Sequence, residues 1–174
     1  MKTRKFPQGY IGLDFGKNGL RALSFGSKQS LVDGIIPKSA SRPKADFWGA
    51  KQEVRLRRIM SQLRKYFCCE RVNFKVKIDW SDIPKFTQKV LKATRTIPYG
   101  EVRSYSEIAA KIGKPKASRA VGQALARNPL PIVIPCHRVI KSDGTLGGFA
   151  WGKKWKQRLL EHEGFKVIKG KLSL

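Results

Sequence analysis

A chain of 174 residues and 19.7 kDa can build one ordinary domain or two small ones, but not multidomain machinery. Its 37 Lys and Arg against 12 Asp and Glu give a formal net charge of +25, which favours a polyanionic partner, while 41% hydrophobic residues exclude a disordered basic tail. No apolar run approaches the roughly 18 residues of a membrane span. The basic residues 1–5 lead into Tyr10-Ile11-Gly12-Leu13-Asp14 rather than an apolar signal core, so a cytoplasmic protein, nuclear in a eukaryote, is expected.

The charge is spread over the chain: residues 1–80 carry 18 basic and 6 acidic side chains, residues 81–174 carry 19 and 6. Such a field speeds encounter with nucleic acid and makes binding salt-sensitive, although a Lys-rich heat-adapted surface has the same composition.

Residues 10–15 and 20–25 read as two strands joined by Gly16-Lys17-Asn18-Gly19, a hairpin signal in which Asn-Gly supplies positive φ. Residues 31–36 read as a further strand ended by Pro37, and residues 38–43 as loop. Leu56, Ile59, Met60, Leu63 and Phe67 recur at helical spacing. Cys68 and Cys69 follow; bridged to each other they would close a strained ring, so they read as small core residues at the helix end. Phe74, Val76 and Ile78 alternate with Lys75, Lys77 and Asp79 as in a half-buried strand. Nothing in residues 1–80 forms a catalytic constellation, and no Cys/His spacing suggests a metal site, so this half reads as an α/β scaffold domain.

Trp80-Ser81-Asp82-Ile83-Pro84 marks a boundary, with capping residues before a proline suited to a helix start. Phe86, Val90 and Leu91 share one face of a helix that stops before Pro98. Ser104-Tyr105-Ser106-Glu107 has capping-box spacing, and Tyr105, Ile108, Ala109 and Ile112 form an apolar face closed by Gly113. A second helix runs from about residue 117 to 127, giving a helix-turn-helix outline. The fold class is therefore α+β: a small sheet-plus-helix domain (1–80) packed on a mostly helical domain (81–174). In the second helix Val121 and Leu125 can face a core, Arg119, Gln123 and Arg127 project oppositely, and Ala and Gly fill the rest. Small residues suit tight internal packing and close approach to a groove equally well.

Three prolines then restrict an apolar segment that ends in Pro135-Cys136-His137-Arg138. Cys136 is expected in a buried, rigid loop, where its thiol needs a base. His137 is the nearest one, and a bridging water would solve the divergence of neighbouring side chains. Trp155, Leu159 and Leu160 define a stripe on the last helix, and Glu163 falls on the same side. Either Glu163 orients His137 or it bends into solvent. His162, one position round, reads as a surface residue.

Ile97-Pro98-Tyr99-Gly100-Glu101-Val102, Tyr105, Ser118-Arg119-Ala120-Val121-Gly122, Asn128-Pro129 and Ile134-Pro135-Cys136-His137-Arg138-Val139 occur in an order that resembles the O6-alkylguanine-DNA alkyltransferases. The likeness continues through Gly147-Gly148-Phe149 and Leu159-Leu160-Glu161-His162-Glu163-Gly164, covering about residues 82–166. The resemblance implies repair of double-stranded DNA by transfer of an alkyl group from guanine O6, less readily thymine O4, to Cys136, once per molecule. It implies proton withdrawal by Glu163, His137 and a water, Tyr105 as donor to the leaving base, and Asn128 as the tie around the site. It also implies groove contact through Ser118, Ala120, Gly122, Gln123 and Ser142, with Arg119 filling the gap left by the flipped base and Tyr105 turning the phosphate. Pro135, Val139, Gly147, Phe149, Ala150 and Trp151 with Tyr105 would line the base pocket. Ala150 stands where relatives carry Ser or Arg. Trp151 stands where some carry Gly, so a bulky ring at the mouth is expected to disfavour benzyl against methyl. No cofactor or metal is implied, and the protein is expected to be a monomer that can bind cooperatively along DNA. Two other readings are a non-catalytic lesion-binding relative, which would lack the cysteine, and a cysteine hydrolase built on Cys136, His137 and Asn128.

Overall fold

The computed structural model describes residues 10–26 and 50–173. The chain divides into two compact units, Met1–Asp79 and Trp80–Leu174. The expected strand at residues 31–36 and the loop after it lie outside the described residues.

In the first unit β1 (Tyr10–Gly16) pairs antiparallel with β2 (Gly19–Gly26), Gly16 opposite Gly19, which leaves Lys17-Asn18 as the turn. The hairpin is as expected but its reason differs: neither Lys17 nor Asn18 takes a positive φ. Glycine is needed because the backbone of residues 77–79 passes so close that a Cβ on Gly19 would collide with the Lys77 carbonyl. Leu20 N donates to Lys77 O at 2.8 Å and Asp79 N to Leu20 O at 3.0 Å. Phe74 and Ile78 are buried and Lys75 and Lys77 exposed, yet only Ile78 makes a ladder contact, a parallel bridge to Leu20, so the segment is extended chain rather than a strand. Asp79, expected outward with the lysines, is buried; its Oδ2 accepts from Asn18 N at 3.2 Å and so satisfies the turn.

Helix α1 (Ala50–Phe67) buries Ile59, Leu63 and Tyr66, while Leu56 and Met60 are exposed. The buried stripe thus runs i, i+4, i+7 from Ile59, displaced from the expected one by Tyr66, whose ring meets Phe67 and Phe74. Cys68 and Cys69 are exposed, not core. Helix α1 ends at Phe67 and Cys69 takes φ 64, with Glu70 N on Lys65 O and Cys69 N on Tyr66 O. This Schellman turn leaves both thiols outside the buried stripe.

In the second unit α2 (Lys85–Arg95) buries Thr87, Val90, Leu91, Ala93 and Thr94. Pro84 sits at its N-cap without a side-chain cap bond, and the Gln88 side chain reaches back to the carbonyls of Trp80 and Ile83. The capping box forms: Ser104 Oγ accepts from Glu107 N, and Glu107 Oε2 accepts from Ser104 N. It starts α3 (Tyr105–Lys111), and α4 (Ser118–Ala126) follows. The two-residue strand β3 (Arg103–Ser104) pairs in parallel with β4 (Val139–Ile140), which fixes the 3₁₀ turn Cys136–Arg138 beside the start of α3. Helix α5 (Lys153–His162) and the hairpin β5 (Lys166–Ile168) and β6 (Lys171–Ser173) close the unit around Ile140, Leu146, Leu160 and Leu172. Among the described residues no helix is long and apolar enough to cross a membrane.

Candidate functional site

Residues 130–140 are buried without a break, and Cys136 is 6% exposed within them. The segment turns sharply at Ile132, whose φ of 72 is strained for a β-branched residue by an amount of order 1–3 kcal/mol. Asn128 holds the turn. Its Nδ2 donates to Ile134 O at 2.9 Å and to Cys136 Sγ at 3.0 Å, and its Oδ1 accepts from Leu130 N at 3.0 Å. Burial pushes the Cys136 thiol up; the Asn128 amide, the Lys156 ammonium and the N–H groups of Cys136 and His137 oppose that by favouring the thiolate.

Behind the cysteine lies a buried charge network. His137 Nε2 is 2.7 Å from Glu163 Oε1. Arg138 donates from Nε to Glu163 Oε2 at 2.8 Å and from Nη2 to Oε1 at 2.9 Å, and its Nη1 donates to Ile97 O at 2.6 Å. Burial alone would raise the Glu163 carboxyl, but His137 and Arg138 outweigh it and hold the group at about 2. Burial lowers the His137 imidazole, against the pull of the Glu163 charge. A neutral ring facing a carboxylate places its proton on Nε2, which leaves Nδ1 basic. Glu163 is therefore buried and engaged with His137 rather than bent into solvent. His162, expected at the surface, is also buried, and its carbonyl accepts from Tyr99 Oη at 3.0 Å.

Lys156 was not anticipated. It is fully buried, with Nζ donating to Val139 O, to Gly148 O at 3.3 Å and, at the limit of hydrogen bonding, to Tyr105 Oη at 3.5 Å. Its ammonium also lies 5.6 Å from the Tyr105 ring centroid. Burial lowers it to about 8, with the Cys136 charge pulling the other way. The signal was readable, since position 156 falls between Leu159 and Leu160 on the face that also carries Glu163. A lysine on that stripe is as informative as the glutamate.

A cavity of about 560 Å³ opens over the sulfur. Cys136 lines it, with Tyr105, Gly147, Phe149 and Ala150 from the expected pocket set and Ser118, Arg119, Gly122 and Ser142 from the expected DNA-contact set. Gly147 has φ +68, and a Cβ there would lie 2.8 Å from Tyr105 Oη, so glycine lets the loop lie against the phenol. Pro135, Val139 and Trp151 do not line the cavity. Pro135 and Val139 are buried in the turn, and the Trp151 ring meets Phe149 at 5.8 Å and Trp155 at 5.9 Å between centroids. The steric argument from Trp151 against benzyl groups loses its basis there. Ala120 and Gln123 also stand off the cavity, while Lys141, Asp143 and Gly148 join its wall. Asn128 lies on the sulfur, not on the imidazole, which removes the orienting contact a Cys-His-Asn hydrolase requires.

Residues 85–165 match the family model described as 6-O-methylguanine DNA methyltransferase, DNA binding domain. A methylated-DNA–protein-cysteine methyltransferase of Methanosarcina acetivorans is 40% identical over 158 residues, covering 91% of this chain and 94% of that protein. The constitutive methylated-DNA–protein-cysteine methyltransferase of Bacillus subtilis is 50% identical over 103 residues, 59% of this chain and 62% of that one. The crystal structure of Mycobacterium tuberculosis OGT in complex with DNA superposes with a TM-score of 0.70 at 37% identity, covering 88% of this chain and 85% of that chain.

Proposed function

The chain belongs to the methylated-DNA–protein-cysteine methyltransferase family, and from that premise we propose the reaction its site performs. It is a DNA repair enzyme that moves an alkyl group from damaged DNA to its own cysteine. Cys136 is the acceptor and O6-alkylguanine in duplex DNA the substrate, with O4-alkylthymine a poorer one. The observation that carries this reading is the sulfur itself: buried in the wall of a cavity large enough to admit a nucleobase, hydrogen-bonded by Asn128, favoured as thiolate by the charge of Lys156, and followed in the chain by the His137–Glu163–Arg138 network.

The thiol proton passes through a water to His137 Nδ1, the ring being held by Glu163 at Nε2. The sulfur then attacks the saturated carbon in line: an S–C bond forms, the C–O6 bond breaks, and its electron pair stays on guanine. Tyr105 donates a proton or hydrogen bond to the base as that charge develops. Because Lys156 donates toward Tyr105 Oη, the phenolic hydrogen is directed into the cavity. The thioether has no leaving group that water can displace readily, so each molecule acts once.

The target base must leave the duplex stack, which costs a few kcal/mol. Helices α3 and α4 act as a helix-turn-helix whose small-residue helix enters the minor groove through Ser118, Ala120, Gly122 and Gln123. Arg119, exposed at the start of α4 and lining the cavity wall, fills the space the base vacates, and Ser142 contacts the strand beside it. The protein acts as a monomer where the DNA is, in the cytoplasm or, in a eukaryote, the nucleus. The test is peptide mapping after exposure to an O6-methylguanine duplex. One methyl group on Cys136 per molecule, absent in Cys136→Ala, is expected; an unmodified Cys136 in folded protein overturns the reading.

A further inference from the structure

Helix α1 of the first unit carries more cationic charge than helix formation can use. Between residues 50 and 71 the chain has Lys51, Arg55, Arg57, Arg58, Arg64, Lys65 and Arg71 against Glu53 and Glu70. Arg64 and Lys65 in the last turn suit the helix dipole, but Arg57 and Arg58 lie mid-helix and gain nothing from it. At about 100° per residue Arg57, Arg58, Arg64 and Lys65 fall within roughly 120° of arc, on the side opposite Ile59, Leu63 and Tyr66. All four are exposed. Arg57 alone of the four is paired on its own helix, with Glu53 at 2.5 Å, and its side chain remains 78% exposed. From Arg57 to Lys65 the stripe runs about 12 Å, the rise of about three to four base pairs along a duplex axis.

We propose that this stripe is a second nucleic-acid contact, in which Arg57, Arg58, Arg64 and Lys65 lie along the phosphate backbone of duplex DNA, separate from the alkyl-transfer pocket. The inference rests on the repair reading, since it assumes that duplex DNA is the partner. Guanidinium and ammonium groups without a groove-entering element give phosphate contact and no base readout. The stripe therefore adds affinity and salt dependence without changing which base is repaired. Like charges repel along this face in the free protein, and phosphates relieve that repulsion.

The experiment measures binding of the full chain to long, unmodified duplex DNA across a salt series. The stripe variant is Arg57→Ser/Arg58→Ser/Arg64→Ser/Lys65→Ser. The control, Lys85→Ser/Lys89→Ser/Lys166→Ser/Lys169→Ser, removes the same charge from exposed positions of the second unit. The slope of log K against log salt should become shallower by about 2–4 in the stripe variant, at about 0.9 per lost phosphate contact. The control should change it by less than half as much. Methyl transfer from free O6-methylguanine should remain at the unaltered rate in the stripe variant, which shows that its pocket is intact. An unchanged slope, or an equal change in the control, overturns the proposal; a loss of free-base transfer in the stripe variant also counts against a contact separate from the pocket. Failure of the unaltered chain to take a methyl group on Cys136 would overturn the repair reading instead.

Discussion

Among the described residues the first unit has ion pairs at its surface, Arg21 with Asp14 and Arg57 with Glu53, whereas the second buries a histidine, an arginine, a lysine and a glutamate around one cysteine. Both halves are about equally basic, so net charge does not separate them. Burial does. A surface pair is solvated and replaceable, while a buried network must satisfy every member or destabilise the fold. Asp79, buried in the first unit, accepts from the backbone of a turn. The buried charged groups of the second gather behind and beside Cys136, and that separates scaffold from chemistry.

The contrast can be broken from its strong end. Arg138→Met removes the bidentate partner of Glu163 and leaves the carboxylate short of a charge partner in the interior, so a loss of about 3–5 kcal/mol is expected from urea unfolding. Ser104→Ala deletes one half of the capping box at α3 and should cost about 0.5–2 kcal/mol, with transfer slowed only as far as Tyr105 shifts. At the weak end, a double-mutant cycle on Asp14→Ala and Arg21→Ala should give a coupling of about 0–1 kcal/mol that fades with salt. A coupling there as large as the Arg138 effect would erase the distinction between the two units.

Acidity sharpens the same comparison. Glu163 is held at about 2 in the folded protein against an ordinary 4.5. Its contribution to stability is thus complete above about pH 4.5 and is lost as the pH falls toward 2. The stability gap between the unaltered protein and Glu163→Gln should accordingly narrow across that window and stay flat above it. A gap that remained constant down to pH 2 would mean that the carboxylate is not held by its neighbours.

Local rules carried the reading of the sequence where local physics decides. The capping box at Ser104 and the buried Pro135-Cys136-His137 segment were legible, because a cap and proline restriction depend on a few neighbouring residues; the Gly16–Gly19 hairpin was legible in place but not in cause, since Gly19 answers to the distant backbone of residue 77. Glu163 was half legible: its helical phase put it beside Leu159 and Leu160, but its partner lies 26 residues away. Lys156 shares that phase, but its partners are backbone carbonyls at residues 139 and 148 that the helix alone does not bring into view. Cys68 and Cys69 were misplaced because where a helix stops decides which side its next residues face. Trp151, expected at the pocket mouth, packs its ring against Phe149 and Trp155, a contact that spacing along the chain does not reveal.

The central claim is that the buried Glu163–His137 pair makes the Cys136 sulfur nucleophilic. Single-turnover methyl transfer from free O6-methylguanine, which needs no base flipping, isolates that step. In Glu163→Gln, with duplex binding and circular dichroism retained, the rate should fall by about 10²–10⁴-fold, the range of general acid–base assistance. A folded Glu163→Gln protein that transfers methyl at the unaltered rate would contradict the account.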